Sequence, residues 1–161
     1  MTILNADLIF WRHADTEINS PSGLDADRRL TEKGWRDAHN SASWLSQQLP
    51  TDVQVFCSPI LRCQQTVSAL KSLRPEVMIY TADYLSTQAD VHALLAHIRQ
   101  MTALECVMFV GHQPNLGVTI AKLVGNSRQC DVQKNAIWWL RSKTFKPNAT
   151  YDVLQIQQTF I

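Results

Sequence analysis

The chain has 161 residues, and its 15 Lys and Arg against 14 Asp and Glu leave a formal net charge of +1. That length suits one domain, expected over residues 1–161, and the balanced charge without any basic run gives no reason to expect nucleic acid as a partner. Hydrophobic residues make up 45% and charged ones 18%, which supports a real core, while the apolar runs are strand length and far short of the roughly 20 residues that span a bilayer.

Short apolar runs alternate with helical periodicity, the pattern of an α/β domain. Residues 7–12 read as a first strand, followed by a polar segment to residue 30 that contains Pro21, Gly23 and several acidic residues. A helix is predicted from Thr31, its cap, to about Gln48, with Ala38, Ala42, Leu45 and Leu49 at three- and four-residue spacing. Gly34 in its first turn costs a little helix propensity. Val53–Cys57 form a second predicted strand. Ser58 then reads as an N-cap and Pro59 as the first helical residue, which places Arg62 near the fourth helical position. Glu76–Tyr80 are a third strand, Ala89–Met101 a helix, and Cys106–Val110 a fourth strand. Pro114 starts a helix ending near Gly125, and Ala136–Arg141 with Tyr151–Thr159 form a closing hairpin. Trp138-Trp139 put one ring on each face of a strand; Trp11 either packs beneath the site or borders it.

Cys57, Cys63, Cys106 and Cys130 contain no C-x-x-C pair, so they read as small buried hydrophobes rather than metal ligands or redox pairs. No basic start leads into an apolar stretch and cleavage site, and the expected location is cytoplasmic.

Parallel strands joined by right-handed crossovers bind ligands outside their carboxyl ends. Strand one ends at Arg12-His13, strand two at Cys57-Ser58, and strand four at Gly111-His112. Two of these segments lead into helices whose free N–H groups favour an anion. Two arginines and two histidines at such ends point to a phosphate or sulfate pocket, since guanidinium groups match phosphate oxygens bidentately. A histidine inside a cationic pocket is kept neutral by its neighbours, as a nucleophile must be. His39, His92 and His97 lack ligand spacing and read as surface or core residues, and the Asp15, Asp25 and Asp27 segment as a solvated loop with Asp15 its best candidate for a role.

Arg12-His13-Ala14, Arg28-Arg29-Leu30-Thr31-Glu32-Lys33-Gly34, Ser58-Pro59-x-x-Arg62-x-x-Gln65-Thr66 and Gly111-His112 resemble, in order and spacing, the motifs of the histidine phosphatase superfamily, also called phosphoglycerate mutase-like. The resemblance spans most of residues 7–125. It implies a three-layer sandwich with a mainly parallel central sheet, His13 as the phosphorylated nucleophile, and a phosphate pocket of Arg12, Arg62 and His112, with no cofactor and no metal. Only 44 residues separate Thr66 from Gly111, too few for a large lid. That compactness, with Asp15 and the His112-Gln113-Pro114 turn, is similar to the SixA-type branch, whose substrates are phosphohistidines on histidine phosphotransfer proteins. The resemblance thus implies a phosphohistidine-bearing protein partner and no membrane or nucleic acid; the oligomeric state is open.

Asp15, Ser58, Gln113 and Asp83 are further candidate substrate-binding residues. Ala14 stands where the family has glycine and is expected to be tolerated. Larger members of the family that the chain resembles place a general acid after the third strand, and Asp83 is the only acidic residue in the corresponding Thr81–Ser86 run. A phosphoramidate leaving group needs an acid less than an ester oxygen does, which favours phosphohistidine. The alternatives are a small-molecule phosphomonoesterase that uses Asp83, and a silent phospho-binding module.

Overall fold

The computed structural model describes residues 7–101, 106–142 and 150–158. Six strands form one sheet: β1 (Asp7–Arg12), β2 (Gln54–Cys57), β3 (Met78–Thr81), β4 (Cys106–Gly111), β5 (Ile137–Ser142) and β6 (Tyr151–Gln157). Their order is β3-β2-β4-β1-β5-β6. The first four are parallel, and β5 and β6 add an antiparallel edge. Four helices cover the faces: α1 (Glu32–Gln48), α2 (Leu61–Leu73), α3 (Ala93–Gln100) and α4 (Asn115–Val124). No helix among the described residues is long and apolar enough to cross a membrane.

The continuous apolar runs of β1 and β4 follow from burial on both faces. Ile9, Trp11, Val55, Met108 and Val110 pack with Ala38, Ala42 and Leu45 of α1 and Val67 and Leu70 of α2. On the opposite face Leu8, Phe10, Val107 and Phe109 pack with Leu94, Leu95 and Ile98 of α3 and Leu116 and Ile120 of α4. This is the expected three-layer sandwich. Trp139 and Trp138 go to opposite clusters, and all four cysteines are buried and free. Trp11 is fully buried in the core beneath α1 and α2 and donates to Asn135, rather than bordering open surface.

Two helix starts fall later than predicted, for one physical reason. The Ser58 hydroxyl accepts the Ile60 N–H at 3.2 Å, so Ser58-Pro59-Ile60 form a turn and α2 begins at Leu61 with Ile60 as its cap. Arg62 is therefore the second helical residue, not the fourth. Likewise the Asp90 carboxylate accepts the His92 N–H at 2.8 Å, and α3 starts at Ala93 rather than Ala89. Short polar side chains here satisfy the backbone locally and delay the helix. The C-terminal strand ends at Gln157; its predicted end at Thr159 and the hairpin's connecting loop lie outside the described residues.

Gly34 has a use that outweighs its propensity cost. Thr31 caps α1 by accepting the Gly34 N–H at 2.9 Å, and this first turn rests directly on the Asp15 backbone, where a Cβ on residue 34 would overlap the Asp15 carbonyl oxygen. Gly34→Ala is expected to destabilise the protein by about 1–3 kcal/mol, the usual range for overpacking. Urea denaturation checks this, and unchanged stability would mean the contact relaxes freely.

Candidate active site

β4 lies between β1 and β2, and the parallel registers pair Arg12 with Gly111 and Cys57 with Val110. The ladder continues one residue past the strands: His13 N–H donates to Gly111 O at 3.1 Å, and Ser58 N–H to Val110 O at 3.0 Å. His13 and Ser58 therefore flank His112. The two imidazole centroids are 5.3 Å apart, tilted by 56°.

Both histidines are buried, His13 to 6% exposure and His112 to 3%. The His13 Nδ1 lies 2.8 Å from the Ala14 carbonyl oxygen. A carbonyl only accepts, so Nδ1 carries the proton and Nε2 keeps a free lone pair. Burial, aided by Arg62, Arg12 and Lys134 and opposed by the Ala14 carbonyl, brings the His13 pKa down to about 4. Burial first, and then His13 and the arginines, bring His112 down to about 3. Both rings are neutral at pH 7.

Two guanidinium groups complete the pocket. Arg12 donates from Nη1 to Val132 O at 3.0 Å. Arg62, 95% buried by its 5% exposure, donates from Nη1 to Asp25 O at 3.0 Å and from Nη2 to Asp25 Oδ2 at 3.1 Å. The Nε of each arginine is buried with no hydrogen-bond partner. A buried unpaired N–H is costly, and these two donors are left free to take an oxygen acceptor.

The remaining motif residues hold this geometry. Thr66 Oγ1 accepts the Ala14 N–H at 3.1 Å and donates to Arg62 O at 2.7 Å, tying α2 to the end of β1. Gln65 Oε1 accepts the Leu30 N–H at 2.8 Å. Ala14 is fully buried among core side chains and needs no left-handed backbone, so its methyl group is accommodated.

The four further candidates differ in placement. Ser58 is buried, with Oγ 2.9 Å from His112 Nε2. Asp15 accepts from the Thr31 hydroxyl at 2.8 Å and from Lys134 at 3.0 Å, beside the pocket. Gln113 uses both ends of its amide on backbone, donating to Cys130 O at 2.9 Å and accepting the Gly117 N–H at 2.7 Å, which supports the start of α4. Asp83 is exposed, opening a single 3-10 turn after β3. Among the described residues no group of three His, Cys, Asp or Glu is placed to hold a metal ion.

Three features escaped the sequence. Asp25, read as part of a solvated loop, is bonded to Arg62. Cys63 Sγ lies 3.4 Å from His112 Nε2, and burial pushes its thiol up to about 12, so it stays protonated. Asn135, at φ 63°, accepts from Trp11 Nε1 at 3.1 Å, donates to Asp37 O at 2.9 Å and Ser41 Oγ at 2.8 Å, and its N–H reaches His13 O at 3.0 Å. Asparagine is the residue that tolerates that backbone, but its long-range bonds leave no local signal.

The buried neutral histidines set a pH dependence. Their folded pKa values of about 4 and 3 lie below the unfolded value of 6.5, so between these limits the unfolded chain binds more protons. Their contribution is complete above about pH 6.5 and is lost as pH falls toward 4. The urea midpoint is expected to fall steadily from pH 7 to pH 4; a flat or rising midpoint would contradict the burial of neutral rings.

A family profile, Histidine phosphatase superfamily (branch 1), matches residues 8–86. The phosphohistidine phosphatase SixA of Escherichia coli is 28% identical over 115 residues, covering 70% of each chain. An uncharacterized protein of Picosynechococcus is 32% identical over 116 residues, covering 69% of this chain and 68% of its own. A solved structure of the protein histidine phosphatase SixA complexed with tungstate superposes with a TM-score of 0.77 at 21% identity, covering 94% of this chain and 96% of that one, a likeness of fold.

Proposed function

The chain belongs to the histidine phosphatase superfamily, as a hydrolase of the SixA type, and from that premise we propose that it removes phosphate from a protein phosphohistidine through a covalent phospho-His13 intermediate. The observation that carries this reading is a neutral His13, its Nδ1–H tied to the Ala14 carbonyl, beside two buried arginine Nε groups without partners. The free Nε2 attacks phosphorus while Arg12 and Arg62 hold the phosphoryl oxygens and His112 donates to one of them. The P–N bond of the substrate breaks and its electron pair returns to the departing ring.

Water then attacks phospho-His13. The pair of the new P–N bond returns to Nε2, His13 leaves neutral with its Nδ1–H unchanged, and both protons of the water remain on the product as dihydrogen phosphate. Ser58 and Gln113 act here by holding His112 and its turn, and Asp15 by ordering the start of α1 and Lys134 beside His13. Support for a phosphoramidate substrate comes from Asp83, which is exposed and unanchored and so is poorly held for protonating an ester oxygen. A cytoplasmic histidine phosphotransfer protein as partner belongs to the same proposal.

The test is phosphate release from a phosphohistidine protein and from p-nitrophenyl phosphate, side by side. Release from the former supports the proposal. Activity on the aryl phosphate alone would move the assignment to a small-molecule phosphatase, and inactivity on both to a phospho-binding module.

A further inference from the structure

The loop between β1 and α1 is clamped by Arg28, which donates from Nε to Glu17 O at 2.8 Å, from Nη2 to Thr16 Oγ1 at 2.7 Å, and from Nη1 to Asp25 Oδ1 at 3.1 Å. That clamp sets the Asp25 carboxylate on Arg62. The Asp25 side chain is 60% exposed and that of Arg62 only 7%, so the carboxylate stands on the solvent side of the guanidinium. Among the described acidic side chains it is the one hydrogen-bonded to Arg62; Asp15 bonds Thr31 and Lys134, Asp131 bonds Gln133 while its charge acts on Arg12, and Asp83 is exposed. The hydrogen bond from Arg28 first, and then Arg62, hold Asp25 below its ordinary pKa. It is a fixed acceptor and no proton donor.

Phosphoryl transfer from a phosphohistidine to His13 exchanges one imidazole for another, so what eases departure on one side eases it on the other. On the enzyme side the Nδ1–H is held by the Ala14 carbonyl at 2.8 Å, and His13 can leave as neutral imidazole. The substrate ring has the same requirement: with its distal nitrogen protonated it leaves neutral, and without that proton it leaves as an imidazolate. We propose that Asp25 accepts the distal N–H of the substrate imidazole, keeping the phosphoimidazole protonated and replacing a general acid. This rests on the phosphohistidine reading above and makes Asp25 the residue that selects N–H-bearing leaving groups. In the step, His13 Nε2 bonds to phosphorus, the substrate P–N bond breaks toward the substrate ring, and the distal proton stays where it was. An ester-linked phosphate offers no such N–H, and its leaving group meets a carboxylate instead.

The experiment compares wild type and Asp25→Asn on phosphoimidazole and on p-nitrophenyl phosphate, whose leaving group needs no proton, with inorganic phosphate as inhibitor. The expected result is a loss of kcat/KM on phosphoimidazole that exceeds the loss on the aryl phosphate by about tenfold or more, as for a hydrogen bond to a charged group. Equal losses on both substrates, with weakened inhibition by inorganic phosphate, would overturn the inference and reduce Asp25 to a support for Arg62. Wild-type turnover of the aryl phosphate alone would instead remove the phosphohistidine reading, and this inference with it.

Discussion

His13→Ala is expected to lower kcat on the order of 10⁴-fold or more, the scale seen when a covalent nucleophile is removed. No neighbour can substitute. His112 has its Nε2 against Ser58 Oγ at 2.9 Å and Cys63 Sγ at 3.4 Å, and the Cys63 thiol stays protonated. The fold survives, because the bonds that fix position 13 are from backbone: its N–H to Gly111 O at 3.1 Å and its carbonyl to the Asn135 N–H at 3.0 Å. Inorganic phosphate is expected still to bind the variant through the proposed Arg12 and Arg62 donors. Rapid quenching with labelled substrate should leave base-stable, acid-labile label on the wild type and none on the variant. Losing a buried neutral ring also flattens the fall in stability between pH 6.5 and 4. Undiminished turnover would end the covalent mechanism.

The sheet and the convergence of Arg12, His13, Arg62 and His112 at one end of it were legible because each is encoded locally. Apolar runs of strand length ended in Arg12-His13, Ser58 and Gly111-His112, and parallel topology requires such ends to converge. Strand β5 was predicted at Ala136–Arg141 and is found at Ile137–Ser142, a shift of one residue that moves no site residue. What stayed hidden is what depends on pairing across the chain. Nothing within residues 13–30 distinguishes Asp25 from Asp27; only folding brings one of them to Arg62, 37 positions away. Gly34 carries a propensity cost in the sequence and a close approach to Asp15 in the fold. Ser58 was read as a helix cap because its hydroxyl suits one, yet that oxygen serves the Ile60 N–H and lies against His112, so α2 starts later.

Arg62→Ala is expected to lower kcat by about 10²–10³-fold and to raise KM as well, since the same donors hold the phosphoryl group in the ground state and in the transition state. The effect has two origins. One is direct: the buried, unpartnered Nε is lost from the oxyanion site. The other runs through the loop, because the bonds to the Asp25 carbonyl and carboxylate at 3.0 and 3.1 Å disappear together, leaving Arg28 to hold the Asp25 side chain. Arg62→Lys separates them. An ammonium keeps the charge but not the planar fork, so it cannot bond Asp25 twice and still face the phosphoryl oxygens. It is therefore expected to restore much of KM and little of kcat in steady-state kinetics. Recovery of kcat by lysine would mean that charge alone suffices, and that the two-point hold on Asp25 has no part in turnover.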